Sequence, residues 1–156
     1  MPPTPLLRAF FKAPAWLYRA GVGRLLGTRF LVVTHRGRIS GRTYDTVLEV
    51  IGFDQDRNES TVVSAYGTSA DWFRNIAANP AGRVRTGGMD YVPQHRVLTA
   101  PERQVAAAAF CARHRWEASM VARVLPAIGA DVDRGATVDP ITLLAGLPMV
   151  AFRPAD

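Results

Sequence analysis

From Phe30 onward the apolar residues follow the alternation typical of strands, and this pattern most constrains how the chain can fold. The alternation recurs in short stretches separated by turn residues, and Gly87-Gly88 between two of them is a strong hairpin signal. We predict strands over residues 30–34, 43–53, 61–65, 83–86, 91–98 and 148–153. About six strands joined mostly by short turns predict a mostly antiparallel sheet or barrel.

Helical patterns lie between and after these strands. Ser69 is predicted to cap the first helix, which Asn79-Pro80 would end. We predict helices over residues 70–78, 102–115 and 117–127, with a short one between Pro140 and Gly146. Because the helices are inserted after runs of strands, the chain is expected to fold as α+β rather than around a parallel sheet. Its 156 residues suit a single domain.

The first 27 residues form a segment of different character, which we separate from a barrel domain over residues 28–156. Apolar residues of 5–27 fall on one side of a helical wheel and basic residues on the other, and Pro14 should kink or split the helix. The segment is too polar and too broken for a membrane span or a signal peptide. It either packs on the domain or lies on an anionic lipid surface.

The positive charge is concentrated in the first third of the chain. Residues 1–44 contain eight basic side chains and no acid, whereas the rest of the chain carries 11 Arg and 13 acidic residues. Such a field attracts an anionic partner. Phosphate groups, a polyanionic cofactor tail and an acidic membrane surface all satisfy this requirement.

Several classes of function are disfavoured by the residues present. Cys111 is the sole cysteine, so no internal disulfide forms, and no CxxC or HxxxH spacing predicts a metal site. No Ser–His–acid or Cys–His constellation is visible. The early aromatic residues look amphipathic rather than arranged to stack bases, so nucleic acid is not expected as a partner. We expect a cytoplasmic protein, with a peripheral position on the inner face of the membrane as the variant.

Residues 34–43, THRGRISGRT, are called the arginine turn here. Arg36, Arg38 and Arg42, with Ser40, supply many hydrogen-bond donors and no acidic acceptor. Gly41 and its neighbours allow tight backbone turns that can cradle an anion. The turn either binds phosphate or is a solvated basic hairpin, and it is not a P-loop because the Gly-Lys-Ser/Thr element is missing.

Residues 64–70, SAYGTSA, are called the small-residue loop. The loop follows a strand and precedes a helix, and Ala65 and Gly67 would let a flat ring lie against the backbone. Tyr66 could cover such a ring or reach a substrate oxygen. Trp72, in the following helix, belongs either to the core or beside the ring.

The arginine turn, the segment SAYGTSADWFRNIAANP and the following RVRTGG hairpin together resemble the deazaflavin-dependent nitroreductase family of actinobacteria. The resemblance implies a split β-barrel of the FMN-binding type and the coenzyme F420, which carries a phosphate and a polyglutamate tail. The resemblance assigns binding of the phosphate and the tail to Arg38, Ser40, Gly41 and Arg42. The pattern of the turn adds Arg36 to this set. The resemblance assigns the ring to Val63, Ser64, Ala65, Tyr66 and Trp72. At the position of Ile39 that family usually has a basic or polar residue, so this chain departs from the family pattern there.

The resemblance implies hydride transfer from the reduced deazaflavin to an electron-poor acceptor such as a quinone, an enone or a nitro compound. Tyr66 and Tyr44 are the candidates for donors that polarise the acceptor. His35 is interpreted as a surface residue at a strand end or, less simply, as a proton donor. The alternatives are FMN or haem on the same barrel and a non-catalytic protein that holds a lipid or fatty acid. Monomer and homodimer both stay open.

Overall fold

A computed structural model describes residues 27–119 and 139–156. It contains seven strands: β1 (Phe30–Arg36), β2 (Thr43–Asp54), β3 (Glu59–Val63), β4 (Arg83–Thr86), β5 (Met89–Tyr91), β6 (Pro93–Val97) and β7 (Met149–Pro154). Its helices include α1 (Asp71–Ala78), α2 (Ala100–Arg113) and α3 (Pro140–Ala145). Residues 115–119 are also helical, and residues 27–29 and Gly67–Ser69 form 3-10 turns.

All strand pairs are antiparallel, in the order β5-β4-β1-β2-β3-β7-β6. The two edge strands, β5 and β6, are separated in sequence by Val92 alone, so the edges of the sheet meet and the sheet curls into a nearly closed split barrel. The 12-residue β2 runs through both halves of this barrel and carries a register shift between Val50 and Gly52, where a bulge bends it. The predicted antiparallel α+β barrel is therefore confirmed.

The predicted strand over residues 91–98 was wrong in one respect, because two strands occupy the region between Gly88 and Leu98. The hairpin returns through Met89–Tyr91, and a second strand begins at Pro93. Between them, the carbonyl of Val92 accepts a hydrogen bond from the N–H of Ala155, 2.9 Å away. This contact lies where the chain passes from one edge of the sheet to the other, and residues 27–119 and 139–156 form seven strands instead of the six predicted.

The predicted cap at Ser69 was also wrong. The helix α1 begins one residue later than expected, its N-cap Ala70 makes no side-chain capping bond, and the hydroxyl of Ser69 donates to the carbonyl of Tyr66 instead. The helix α2 has the stronger start signal: the Thr99 hydroxyl and the Glu102 carboxylate form a capping box. The helix α1 thus follows directly from the small-residue loop and begins without a side-chain cap.

Two clusters of apolar side chains form the core. One lies between α1 and the strands β1, β2, β3, β4 and β7, and it includes Leu31, Val33, Trp72 and Phe152. The other lies under α2 and α3. Apart from Gly27, the predicted helix over residues 5–27 lies outside the described residues, as does most of the stretch predicted over 117–127, of which 117–119 are helical. Within the described parts of the chain, no helix is long and apolar enough to cross a membrane.

Candidate cofactor site

The arginine turn joins β1 to β2 and is closed by its own backbone. The N–H of Gly37 donates to the carbonyl of Arg42 at 2.8 Å, and the N–H of Gly41 donates to the carbonyl of Gly37 at 2.9 Å. Gly41 adopts φ +67°, a left-handed conformation that glycine reaches without steric cost. The turn therefore holds its side chains at one end of the barrel in a defined arrangement.

The three arginines of the turn have different partners. The Nε of Arg36 donates to the carbonyl of Gly41 at 3.1 Å, which leaves the rest of its guanidinium group exposed. Arg38 turns toward α1 and donates to Asp71 at 3.0 Å and to Asn75 at 2.9 Å. The exposed side chain of Arg42 makes no hydrogen bond or ion pair with the described residues. Arg36 and Arg42 thus keep donors for an external anion, whereas Arg38 is largely engaged within the protein.

The small-residue loop is fixed by a buried serine. Ser64 is fully buried: its N–H donates to the carbonyl of Pro148 at 2.9 Å, and its hydroxyl donates to the carbonyl of Gly67 at 2.7 Å. Gly67 adopts φ +65°, and its N–H returns to the carbonyl of Ser64 at 3.0 Å. Val63 and Ala65 are half-buried beside it, and Tyr66 is 41% exposed. The loop thus presents small side chains and one tyrosine.

The helix α1 connects the two predicted segments. It begins directly after the small-residue loop, and its first residue, Asp71, contacts Arg38 of the arginine turn. No hydrogen bond between described residues joins the turn to the loop itself. Trp72, predicted to lie beside the ring, is only 8% exposed and packs edge-on against Phe73 in the core. The tertiary structure thus links the turn and the loop through one helix. Most of the Trp72 ring lies in the core of the protein.

His35 is not the surface residue that the sequence suggested. The pairing of β1 with β2 sets it opposite Tyr44, whose ring stacks on it at 6.0 Å, and it is 4% exposed. Its Nε2 lies 2.9 Å from the hydroxyl of Thr46, and its Nδ1 lies 3.1 Å from the amide nitrogen of Asn75. Burial lowers the pKa of His35 below its usual 6.5, although the nearby carboxylates of Asp45 and Asp71 act in the opposite direction.

Asn75 is the site residue that the sequence argument missed. It is 4% exposed, and its Oδ1 accepts both from Nη1 of Arg38 and from the Arg38 backbone N–H at 3.1 Å. A signal for it does exist in the sequence. On α1, Asn75 stands three residues after Trp72 and beside Ile76, which puts a polar side chain on the buried face. A buried amide needs partners, and these came from a turn 37 residues away.

A cavity of about 420 Å³ opens on the outer face of the barrel beside the arginine turn. Its lining residues are Thr34, Thr43, Tyr44, Asp45, Arg83 and Arg85. Asp45 accepts from Thr34 at 2.6 Å and from Arg85 at 2.8 Å, while Arg83 is paired with Asp90. Asp45 and Asp90 together neutralise the two arginines, so this cavity lacks the excess positive charge of the turn.

The donor set of the turn fits the phosphate-bearing coenzyme that the resemblance implies. Guanidinium groups, the Ser40 hydroxyl and a left-handed glycine lie together, and Asp71, the carboxylate that contacts Arg38, is neutralised by it. Ile39, at the tip, is 89% exposed and adds no donor there. Among residues 27–119 and 139–156, no group of His, Cys, Asp or Glu side chains is arranged to hold a metal ion.

Two solved structures resemble this chain in fold. One, described as an F420-H2 dependent reductase (FDR-A), is 15% identical with a TM-score of 0.51, and the match covers 80% of this chain and 94% of that one. Another, described as a domain-swapped dimer, is 17% identical with a TM-score of 0.53, covering 90% and 99%. At these identities the likeness shows the split-barrel fold alone.

A search of curated proteins gave no significant match. A family model described as F420H(2)-dependent quinone reductase matches residues 11–125. This stretch is well over half of the chain and includes both the arginine turn and the small-residue loop. The chain therefore belongs to the F420H(2)-dependent quinone reductase family, which confirms the F420-dependent oxidoreductase that the resemblance implied.

Proposed function

We propose that this protein reduces a quinone with F420H2 as the reductant, and that nitro compounds and enones are poorer acceptors. The observation that carries the proposal is the contact of Arg38 with Asp71 and Asn75, which attaches a basic turn to the helix that starts at the small-residue loop. A coenzyme with an anionic arm and a planar ring needs two such elements at a fixed separation. The family description supports a quinone as the acceptor.

In this proposal the arginine turn binds the phosphate and the tail. Arg36 and Arg42 supply free guanidinium donors, Ser40 supplies a hydroxyl, and Gly41 lets the backbone approach the anion. Arg38 donates mainly to the protein and orients the turn, with its remaining N–H groups available to the phosphate. Each charge-assisted contact of this kind contributes about 1.5–3 kcal/mol, so loss of one should weaken binding about tenfold or more.

The ring is assigned to the start of α1. The ring would lie against a surface formed by Val63, Ser64 and Ala65. The buried hydrogen bonds of Ser64 keep this surface rigid. Tyr66 projects from the loop with an exposed side chain that makes no hydrogen bond through its hydroxyl to the described residues. Trp72 contributes at most an edge, because its ring is largely in the core. When bound, the reduced deazaflavin supplies a hydride, and the protein supplies placement and exclusion of water.

Tyr66 is proposed to donate a hydrogen bond to the acceptor oxygen. A quinone oxygen gains negative charge as the acceptor is reduced, and a fixed donor at that position lowers the barrier. Tyr44, proposed in the same role from the sequence, already shares a hydrogen bond with Ser40. The structure therefore favours Tyr66 as the donor to the acceptor and Tyr44 as a support of the turn.

A peripheral membrane position belongs to the same proposal. Long-chain quinones reside in lipid, and residues 1–44 carry basic side chains without an acid. We propose that residues 5–27 contact an anionic lipid surface while residues 28–156 form the catalytic domain, as a monomer or a homodimer. Co-sedimentation with anionic and with zwitterionic vesicles tests the contact, and equal recovery with both vesicle types would reject it.

The experiment that tests the function is a fluorescence titration with F420 followed by quinone reduction. We expect Arg42→Ala to raise the Kd for F420 about tenfold. The matched control is Arg57→Ala, because Arg57 is an exposed arginine in the turn at the opposite end of β2. Binding of FMN in place of F420, or equal affinity in the Arg42 and Arg57 variants, would contradict the proposal. Equal rates with menadione, a nitroarene and a cyclohexenone would contradict the assignment of the acceptor.

A further inference from the structure

His35, at the start of the arginine turn, and Asn75 form a buried polar pair. Both are 4% exposed; one lies on β1 and the other on α1. Around them lie the hydroxyl of Thr46 on one side and Arg38 on the other. Buried polar groups of this kind must satisfy one another, so the position of each proton in the chain of contacts can be worked out.

The donors of Arg38 fix the orientation of the Asn75 amide. Two N–H groups of Arg38 point at the same amide atom, and an N–H can only be accepted by the oxygen. The amide nitrogen therefore faces His35, 3.1 Å from its Nδ1. Since an amide NH2 group only donates, Nδ1 must be the acceptor and the ring proton must be on Nε2, where it is donated to Thr46.

A proton added to His35 would break this order. It would sit on Nδ1 and face the NH2 group of Asn75, so that two donors oppose each other. Relief requires the amide to rotate and present its oxygen to His35, which turns an NH2 group toward the two donors of Arg38. The turn would then lose its two contacts with Asn75, and the ion pair of Arg38 with Asp71 would be left to join it to α1.

The titratable and charged groups around His35 come from two elements and the arginine turn. Asp45 and Tyr44 lie on β2, Asp71 on α1, and Arg38 in the turn. The two carboxylates favour the protonated ring, whereas burial opposes it more strongly, which keeps the pKa of His35 below its ordinary value. Asp71 and Asp45 are themselves engaged by arginines, which limits their effect.

We propose that His35 and Asn75 are positioning residues that hold Arg38, and with it the coenzyme-binding turn, in place while His35 is neutral and that loosen this hold when His35 is protonated. The inference rests on the proposed function of the turn. As a consequence, the affinity for F420 falls at acidic pH because His35, a group of the protein and not of the coenzyme, becomes protonated. A residue that only filled space behind the turn would give no such dependence.

The first measurement needs no coenzyme. In the full chain, NMR gives the protonation of His35 from its Hε1 shift and the hydrogen-exchange protection of the Arg38 amide from pH 5 to 8. We expect the protection, corrected for intrinsic exchange, to fall about fivefold to tenfold as His35 titrates, the amount that loss of a hydrogen bond of about 1–1.5 kcal/mol implies. Protection that is constant through the titration would overturn the inference.

The second measurement compares the Kd for F420 in three variants over the same pH range. His35→Gln should remove the pH dependence that comes from the protein, because glutamine does not titrate. The ratio of its Kd to that of the wild type cancels any titration of the coenzyme itself. Asn75→Asp should reverse it, since a carboxylate accepts from Arg38 and from a protonated His35 at once. His95→Gln is the matched control: burial also lowers the pKa of His95, but it lies on β6 against Phe152, away from the turn.

The outcomes separate this inference from the function on which it rests. If the protection of Arg38 follows His35 but F420 does not bind, the proposed function fails and the positioning role stands. If F420 binds and wild type and His35→Gln share one pH profile, the positioning role is overturned and the function stands. Should a variant fail to fold, the wild-type NMR titration alone still decides.

Discussion

The hydroxyl groups of Ser40 and Tyr44 lie 3.0 Å apart, and the ring of Tyr44 stacks on His35. Tyr44 therefore connects Ser40, near the tip of the arginine turn, to the buried pair of His35 and Asn75. Tyr66, by contrast, has an exposed side chain whose hydroxyl makes no hydrogen bond with the described residues. The two tyrosines, equivalent as candidates in the sequence, occupy different environments in the fold.

This difference predicts separate kinetic effects for the two hydroxyl groups. Tyr44→Phe removes a bond within the turn and should raise the Kd for F420 about fivefold with kcat unchanged at saturation, as loss of about 1 kcal/mol implies. Tyr66→Phe removes a donor to the developing charge and should lower kcat about tenfold or more, with the Kd for F420 nearly unchanged. Steady-state kinetics with a quinone and a coenzyme titration measure both. The same change in kcat for both variants would contradict the division of roles.

Gly37 is predicted to be intolerant of a side chain. A Cβ at this position would lie 2.6 Å from the hydroxyl of Ser40 and 2.8 Å from the Tyr44 ring, distances at which one of them must move. Gly37→Ala should therefore break the contact between Ser40 and Tyr44 and weaken F420 binding at least about fivefold. Gly82→Ala is the control, since its Cβ would meet only the Thr34 carbonyl, at 3.7 Å. Equal affinity in the two variants would show that the turn adapts.

The stability of the barrel should depend on Phe152. Its ring is fully buried in the core cluster next to α1, so Phe152→Ala leaves a cavity and should lower the free energy of unfolding by about 3–5 kcal/mol. Phe53, which is 36% exposed near the end of β2, provides the same substitution without a closed cavity. Urea unfolding of Phe152→Ala and Phe53→Ala measures the difference. Similar losses in both would mean that the cavity at residue 152 collapses.

The buried His35 predicts a loss of stability in acid. Its pKa is lower in the folded than in the unfolded protein, so between these two values the unfolded chain binds more protons and stability rises with pH. The contribution is present above pH 6.5 and is lost as the pH falls toward the lower folded pKa. Urea unfolding from pH 5 to 8 should show a smaller slope in His35→Gln than in wild type. Part of the slope will persist, because burial lowers the pKa of His95 in the same direction.

Several features were determined by the local sequence. Gly87 and Gly88 adopt φ +53° and +84°, values that side chains rarely allow, and they pair β4 with β5 as the hairpin signal predicted. Residues 1–44 also carry their excess of positive charge in any conformation, so an anionic partner could be predicted before the fold was known. The residues that form a turn and the net charge of a segment both depend on short stretches of chain, so both can be predicted from the sequence.

Other features were decided by the tertiary structure alone. The burial of His35, its partner Asn75 and the diversion of Arg38 toward α1 depend on contacts between residues 33 to 40 positions apart. The closure of the barrel at Val92 depends likewise on the N–H of Ala155. A residue pattern records which faces are apolar, but not which buried polar group from another element will lie opposite. That choice is made only when the sheet closes, because unsatisfied donors and acceptors must then find partners inside the protein.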